Sequence, residues 1–117
     1  KIISLGTISD DYTLKLIYSA ADVVVVPSTM ESFGQVALEA LHCGTPCVAF
    51  KETALEDLID HKINGYLAEN WSEDDLFKGT LWCLNNIRNQ RDTISQNATM
   101  KFDYNKIINQ YINFLKK

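Results

Sequence analysis

Cysteine and histidine are scarce in this 117-residue chain, which has three of the first and two of the second. Cys43, Cys47 and Cys83 form neither an even disulfide set nor a paired zinc-ligand pattern, so we expect reduced, buried thiols. His42 and His61 have no partner at metal-ligand spacing, and we expect structural roles for both. The sequence therefore predicts no metal site and no cofactor.

Positive charge and long apolar runs are also lacking. Eleven Lys and Arg residues face fifteen Asp and Glu, and the net charge of -4 argues against nucleic acid as the main partner, because binding phosphate backbones needs a basic face. The longest apolar stretch, residues 20–27, is interrupted by Asp22 and falls well short of the roughly 18 residues that a membrane-spanning helix needs. We expect a cytoplasmic protein, for which peripheral membrane association at full length stays open.

The length suits one domain, spanning residues 1–117. Hydrophobic residues make up 46% and charged residues 22% of the chain, which are ordinary values for a globular protein. The chain opens at Lys1-Ile2-Ile3, without a methionine and already in strand-like sequence. We therefore interpret it as a piece of a longer protein.

Strand-like and helix-like segments alternate along the chain. The β-branched run Val23–Val26 is typical of a parallel strand covered on both faces. Strands are predicted at 2–6, 23–26, 45–50 and 66–68, and helical segments at 9–20, 32–43, 54–59, 72–87 and from about 103 onward. This order, with no two-residue hairpin signal, predicts an α/β fold: a Rossmann-like half domain whose parallel sheet of about four strands is flanked by helices. Val23–Val26 is expected inside that sheet, not at its edge.

The most informative stretch runs from Pro27 to Ala40. It places Glu31 at the mouth of a helix and Glu39 inside that helix, directly after a buried strand, where open α/β sheets bind ligands. At about 1.5 Å rise per residue the two backbones lie ~12 Å apart, whereas the carboxyl pair of a glycosidase is roughly 5 to 9.5 Å apart. The pair is better placed to hold opposite ends of one extended ligand. Between them, Gly34 and the free N–H groups of the first turn suit a phosphate.

The same residues carry a resemblance to a known family. The chain resembles the E-x7-E region of the retaining glycosyltransferases of family four, which have the GT-B fold, at Pro27-Ser28, Glu31-Ser32-Phe33-Gly34, Glu39-Ala40 and Cys43-Gly44-Thr45-Pro46. The likeness continues at Leu5-Gly6, Leu16-Ile17-Tyr18, Ala20-Ala21-Asp22 and Gly65-Tyr66-Leu67, and so covers about residues 2–70.

The resemblance implies that the chain is a C-terminal nucleotide-sugar-binding domain. Such a protein moves a sugar from a nucleotide-diphosphate donor to an acceptor hydroxyl, usually with retention and without a bound metal, in glycan or polysaccharide biosynthesis. In this family's pattern, Glu31 would contact the donor sugar and act in catalysis. Glu39 would hydrogen-bond the ribose hydroxyls. The residues between them that would contact the sugar and phosphates are Ser32, Phe33, Gly34 and Gln35. The acceptor would bind an N-terminal domain that this chain lacks. Cations that neutralise the diphosphate would also lie upstream, so the chain alone is expected to be inactive.

Two other readings stay open. The chain could be a non-catalytic nucleotide-binding or interaction module related to glycosyltransferases, although the intact Glu31 and Glu39 count against degeneration. A response-regulator-like domain is the weaker alternative, because it needs clustered acidic residues at a strand end where this chain has Pro27-Ser28.

The end of the chain carries one more pattern, at Tyr104, Ile107, Ile108, Tyr111 and Leu115. This spacing predicts an amphipathic last helix. We expect that helix to pack partly against a domain outside this chain.

Overall fold

The computed structural model describes residues 2–27, 34–101, 112, 113 and 115. The elements are α1 (Asp11–Ala20), β1 (Val24–Val26), α2 (Gly34–His42), β2 (Cys47–Phe50), β3 (Gly65–Ala68), α3 (Glu73–Asn86) and α4 (Arg91–Lys101), with a 3₁₀ turn at Ala54–Asp57 between β2 and β3. Residues 112, 113 and 115 are also helical. Over the described ranges, none of the helices combines the length and apolar character needed to cross a membrane.

The three strands form one parallel sheet in the order β1-β2-β3. Cys47 and Ala49 of β2 face a core shared with α1, α2 and α4, whereas Val48 and Phe50 face a second core under α3. This alternation follows from the two-residue period of a strand, and it explains why all four residues of β2 are buried. The predicted fold class, a parallel α/β sheet flanked by helices, is confirmed.

Two details of the predicted sheet are wrong. β1 is an edge strand of the sheet that the described residues form, and Val25 is 38% exposed. Residues 2–6 are not in a strand, and Ile2 is 98% exposed. The reason is that strand sequence becomes a strand only when a neighbour pairs with its backbone groups, and none of the described strands pairs with residues 2–6.

The predicted helix starts at Asp10 and Ser72 are confirmed by their hydrogen bonds. The Asp10 carboxylate accepts from the Thr13 backbone N–H at 2.8 Å, and the Ser72 hydroxyl accepts from the Asp75 backbone N–H at 3.1 Å. Each bond satisfies an N–H group that has no partner within its own helix.

Helix α4 was missed by the sequence prediction. Its sequence is mostly polar, and only Ile94 and Ala98, one turn apart, are buried. These two residues pack on the core beneath α2, and the Ser95 hydroxyl donates to the carbonyl of His42 at 2.7 Å. α4 therefore braces the end of α2.

The turn from α2 into β2 depends on Gly44. Its φ of 82° lies in the left-handed region, which glycine adopts without steric cost. A Cβ at this position would also lie 2.5 Å from the carbonyl oxygen of Arg91. The glycine thus lets the start of α4 approach this turn closely.

The predicted last helix can be compared with the structure only at its end. Tyr104, Ile107, Ile108 and Tyr111 lie outside the described residues. Leu115 is described and is 65% exposed. The packing expected for this stripe stays a prediction.

Candidate functional site

The candidate site lies where β1 leads into α2. β1 ends at Val26, and α2 begins at Gly34, so the amino end of the helix follows the carboxyl end of a parallel strand. This is the edge at which open α/β sheets bind ligands. Of the predicted site residues, Gly34, Gln35 and Glu39 are described, and all three lie on α2. The remaining three, Glu31, Ser32 and Phe33, lie outside the described residues.

A cleft separates α1 from α2 at this edge. It consists of two overlapping cavities of about 310 and 470 Å³. Its walls are formed by Ile8, Asp11, Leu14, Lys15 and Tyr18 on one side, and by Gln35, Val36 and Glu39 on the other. Gln35 and Glu39 are four residues apart and therefore share one face of α2. The structure thus brings the two predicted polar residues together on one wall.

The lining of the cleft combines charge with an apolar surface. Glu39 and Asp11 contribute carboxylates, Lys15 contributes an ammonium group, and Leu14 and Val36 contribute aliphatic surface. Carboxylates accept hydrogen bonds from hydroxyl groups, and such charge-assisted bonds are stronger than neutral ones. Ligand sites commonly set a few polar groups into such an apolar lining. The cleft is therefore suited to a polyhydroxylated ligand with an apolar portion.

Tyr18 is the most buried aromatic residue of this lining, at 8% exposure. Burial raises the pKa of the Tyr18 phenol, and the charge of Glu39 and a hydrogen bond to its carboxylate raise it further. A phenol with a raised pKa stays protonated at neutral pH, so its O–H is available as a donor. Tyr18 can therefore act as a donor toward Glu39, which lines the same cavity from α2.

Gly34 has no reason to be glycine in the packing of the described residues. A Cβ placed there would meet only Leu58 among them, at an ordinary contact distance of 3.9 Å. Its backbone also lies outside the left-handed region. The missing side chain leaves the main chain at the start of α2 open to a close approach.

The model of the family "Glycosyl transferases group 1" matches residues 1–101. The chain belongs to this family. The resemblance drawn from the sequence is therefore confirmed at the level of group 1 glycosyltransferases, and the parallel sheet with its flanking helices is consistent with a Rossmann-like half domain of a GT-B enzyme.

Similar proteins include an uncharacterized glycosyltransferase of Methanocaldococcus jannaschii, which is 49% identical over 65 residues, covering 56% of this chain and 16% of the relative. A D-inositol 3-phosphate glycosyltransferase of Segniliparus rotundus is 46% identical over 61 residues, covering 52% of this chain and 14% of the relative. Another D-inositol 3-phosphate glycosyltransferase, from Geodermatophilus obscurus, is 54% identical over 52 residues, covering 44% of this chain and 12% of the relative. The matched part is thus less than a fifth of the length of each relative.

None of the three cysteines and two histidines is among the residues that line the cleft. All three thiols are free, as predicted, and Cys47 and Cys83 are buried while Cys43 is half-buried. Burial raises the pKa of both buried thiols to about 12, which makes them poor nucleophiles. His61 accepts a hydrogen bond from the backbone N–H of Leu67 at 3.0 Å, in keeping with a structural role. In the part of the chain that the structure describes, no three of the His, Cys, Asp and Glu residues are grouped as metal ligands.

The sequence prediction missed the α1 wall of the cleft. Asp11, Lys15 and Tyr18 were not predicted as site residues, yet they line it together with Leu14. The signal was their spacing, because positions i, i+3, i+4 and i+7 share one face of a helix. The spacing shows that these residues share a face, but it does not show that this face meets α2.

Proposed function

We propose that this chain forms part of the donor site of a retaining glycosyltransferase of family four. The enzyme would move a sugar from a nucleotide-diphosphate donor to an acceptor hydroxyl, in cytoplasmic glycan or polysaccharide biosynthesis. The observation that carries this proposal is the cleft itself, in which Gln35 near the amino end of α2 and Glu39 one turn later line the same wall. The acceptor would bind a separate N-terminal domain.

The diphosphate belongs at the amino end of α2. Helix N-termini attract phosphate because their first N–H groups have no partner within the helix and carry partial positive charge. Gly34 opens this end of the helix and leaves its backbone accessible. Lys15 lines the adjoining cleft and adds a positive charge on the facing wall.

The ribose belongs farther along the same helix, at Glu39. At about 1.5 Å per residue, Glu39 lies roughly 7.5 Å along the axis from Gly34. One nucleotide can therefore set its diphosphate at the helix terminus and its ribose hydroxyls at the carboxylate. Both partners of this arrangement lie on one rigid element, which keeps their separation constant.

The chemistry that follows is electrostatic. The bond that breaks joins the anomeric carbon to a diphosphate oxygen, and the departing nucleotide diphosphate takes the electron pair and gains negative charge. The acceptor hydroxyl oxygen forms the new bond to the anomeric carbon, and its proton is taken up by the departing diphosphate. The N–H groups at the start of α2 stabilise that charge as it develops. In this proposal Glu31 binds hydroxyls of the donor sugar, and Ser32 and Phe33 line the sugar and phosphates.

The test distinguishes the role of Glu39 from that of Glu31 by measuring how each substitution affects the binding of nucleotide diphosphate and of nucleotide sugar. In the full-length protein, Glu39→Ala should weaken the binding of both nucleotide diphosphate and nucleotide sugar, because both ligands carry the ribose. A hydrogen bond to a charged group contributes on the order of 1.5 to 3 kcal/mol, so calorimetric titration should show a roughly ten- to hundred-fold loss of affinity. Glu31→Ala should reduce sugar transfer and leave the affinity for nucleotide diphosphate nearly intact.

Glu73→Ala is the matched control, because Glu73 is an exposed glutamate at the start of α3, on the opposite face of the sheet. It should change neither affinity nor transfer. Equal losses of nucleotide-diphosphate affinity in Glu39→Ala and Glu31→Ala would show that the two carboxylates share one role. Binding of nucleotide sugar without transfer to any acceptor would instead favour a non-catalytic module.

A further inference from the structure

We infer that Tyr18 is a positioning residue, which holds the carboxylate of Glu39 in place for the ribose through a contact across the cleft between α1 and α2. This inference rests on the proposed function and adds to it a residue from the other wall of the cleft. Tyr18 itself need not touch the nucleotide. Its effect on binding should pass through Glu39 alone.

The two residues line one cavity from different elements. Tyr18 lies on α1 and Glu39 on α2, and both line the smaller cavity of about 310 Å³. The ring of Tyr18 belongs to the core that also contains Ala37 and Ala40, which flank Glu39 on its helix. Because Tyr18 is held by this core and also lines the cavity, its hydroxyl needs little ordering to act as a donor there.

The end of α1 is tied to the chain that follows α2. The hydroxyl of Thr45, which is fully buried, donates to the Tyr18 carbonyl oxygen. The guanidinium of Arg91 donates to the same carbonyl at 3.4 Å and to the Thr45 hydroxyl at 2.9 Å. These bonds set the distance between the two walls of the cleft at the level of Tyr18.

A fixed donor matters because the glutamate side chain is flexible. Glu39 is half-buried, and ordering a free glutamate on binding costs conformational entropy. A carboxylate has about four acceptor sites, so one bond to Tyr18 leaves the others for two ribose hydroxyls. The raised pKa of Tyr18 keeps its proton in place over the whole physiological range.

The test is a double-mutant cycle in the full-length protein, read by calorimetric titration. UDP, GDP and ADP are first titrated into the wild-type protein, and the tightest binder is used as the probe. Tyr18→Phe removes the hydroxyl and keeps the ring, and we expect about a three- to tenfold loss of affinity, smaller than that of Glu39→Ala because the carboxylate is still present but no longer held. In the background of Glu39→Ala the same substitution should have no further effect. Tyr12→Phe is the control, since Tyr12 lies on the same helix and is exposed.

A 2′,3′-dideoxy form of the same nucleotide separates positioning from a general defect. Without ribose hydroxyls there is nothing for Glu39 to bind, so wild type and Tyr18→Phe should bind this analogue equally. A folding defect in the variant would lower the affinity for both nucleotides.

Each of the other outcomes contradicts either the proposed function or the role inferred for Tyr18. If no nucleotide diphosphate binds the wild-type protein, the proposed function is wrong, and the role of Tyr18 with it. If the probe binds but Tyr18→Phe leaves its affinity unchanged, the inference alone is wrong. The same holds if the loss persists in the Glu39→Ala background or extends equally to the dideoxy analogue.

Discussion

Gly34 is the residue at which the needs of the fold and those of the ligand can be separated. The described residues leave room for a Cβ there, and the backbone conformation does not require glycine. We expect Gly34→Ala to keep or slightly raise the free energy of unfolding, because alanine is the better helix former. It should lower nucleotide-diphosphate affinity by roughly tenfold, about 1.4 kcal/mol, because the methyl group occupies space beside the N–H groups that bind phosphate.

The matched comparison is Gly79→Ala, the same change inside α3. A Cβ at position 79 would collide with the ring of Tyr66, whose hydroxyl donates to Asp75 at 2.9 Å. Overpacking of this kind costs about 1 to 3 kcal/mol, which urea unfolding of the full-length protein should show. Calorimetry should find its nucleotide affinity unchanged. A stability loss for Gly34→Ala without a loss of affinity would show that position 34 serves the fold.

At the scale of elements, an arginine from α4 ties the end of α1 to the turn that follows α2. The last turn of α1 contains no basic residue of its own. Arg91 supplies the missing charge from the start of α4, donating to the carbonyl of Ser19 at 2.7 Å and to that of Ala21 at 2.8 Å. A cation at the carboxyl end of a helix is favourable because the unpaired carbonyls there carry partial negative charge. One side chain thus connects the start of α4 with the end of α1, and its bond to the Cys43 carbonyl at 3.4 Å reaches the residue after α2.

We expect Arg91→Met to destabilise the protein more than Arg91→Lys. Lysine keeps the charge but loses the planar fork that reaches several acceptors at once. Hydrogen bonds to a charged group contribute about 1.5 to 3 kcal/mol, so the methionine variant should lose stability in that range or more. The measurement is the midpoint of urea unfolding, with Arg88→Met as the control at an exposed arginine in the turn just before α4. Equal midpoints for the Arg91→Met and Arg88→Met variants would show that the hydrogen bonds of Arg91 do not stabilise the protein.

At the scale of the whole molecule, His61 links stability to pH. Its Nδ1 accepts from the Leu67 N–H, and its ring packs on Tyr66 with centroids 4.6 Å apart. This partial burial lowers the pKa of His61 below 6.5, and the positive charges of Lys62 and Lys51 lower it further. A lowered pKa means that the unfolded chain takes up the proton first. Stability from this site is therefore complete above about pH 6.5 and is lost as pH falls through the folded-state pKa.

His61→Asn provides the test, because an asparagine oxygen can accept the Leu67 bond without titrating. The unfolding free energy of the wild-type protein should fall relative to that of the variant as pH is lowered from 7.5 to 5. Chemical denaturation at a series of pH values measures this difference. A constant gap between the two curves would show that His61 does not titrate differently in the folded protein.

Local chemistry alone was enough to predict much of this molecule. Asp10 and Ser72 cap their helices by bonding residues three positions away, so both helix starts could be predicted from nearby residues in the sequence. The buried strand Cys47–Phe50 was recognisable because a strand between two packed layers must be apolar on both faces. The segment around Glu39 indicated the family because it holds a specific set of residues at fixed spacing.

The tertiary structure decided what depends on distant partners. Val24–Val26 lies at an edge and residues 2–6 lie outside the sheet, because strand pairing is made between segments far apart in sequence. Helix α4 owes its place to packing and to bonds from Ser95 and Arg91, which no local periodicity reveals. The cleft itself exists only because α1 packs beside α2. Its Tyr18 wall could therefore be identified only once the two helices were seen together.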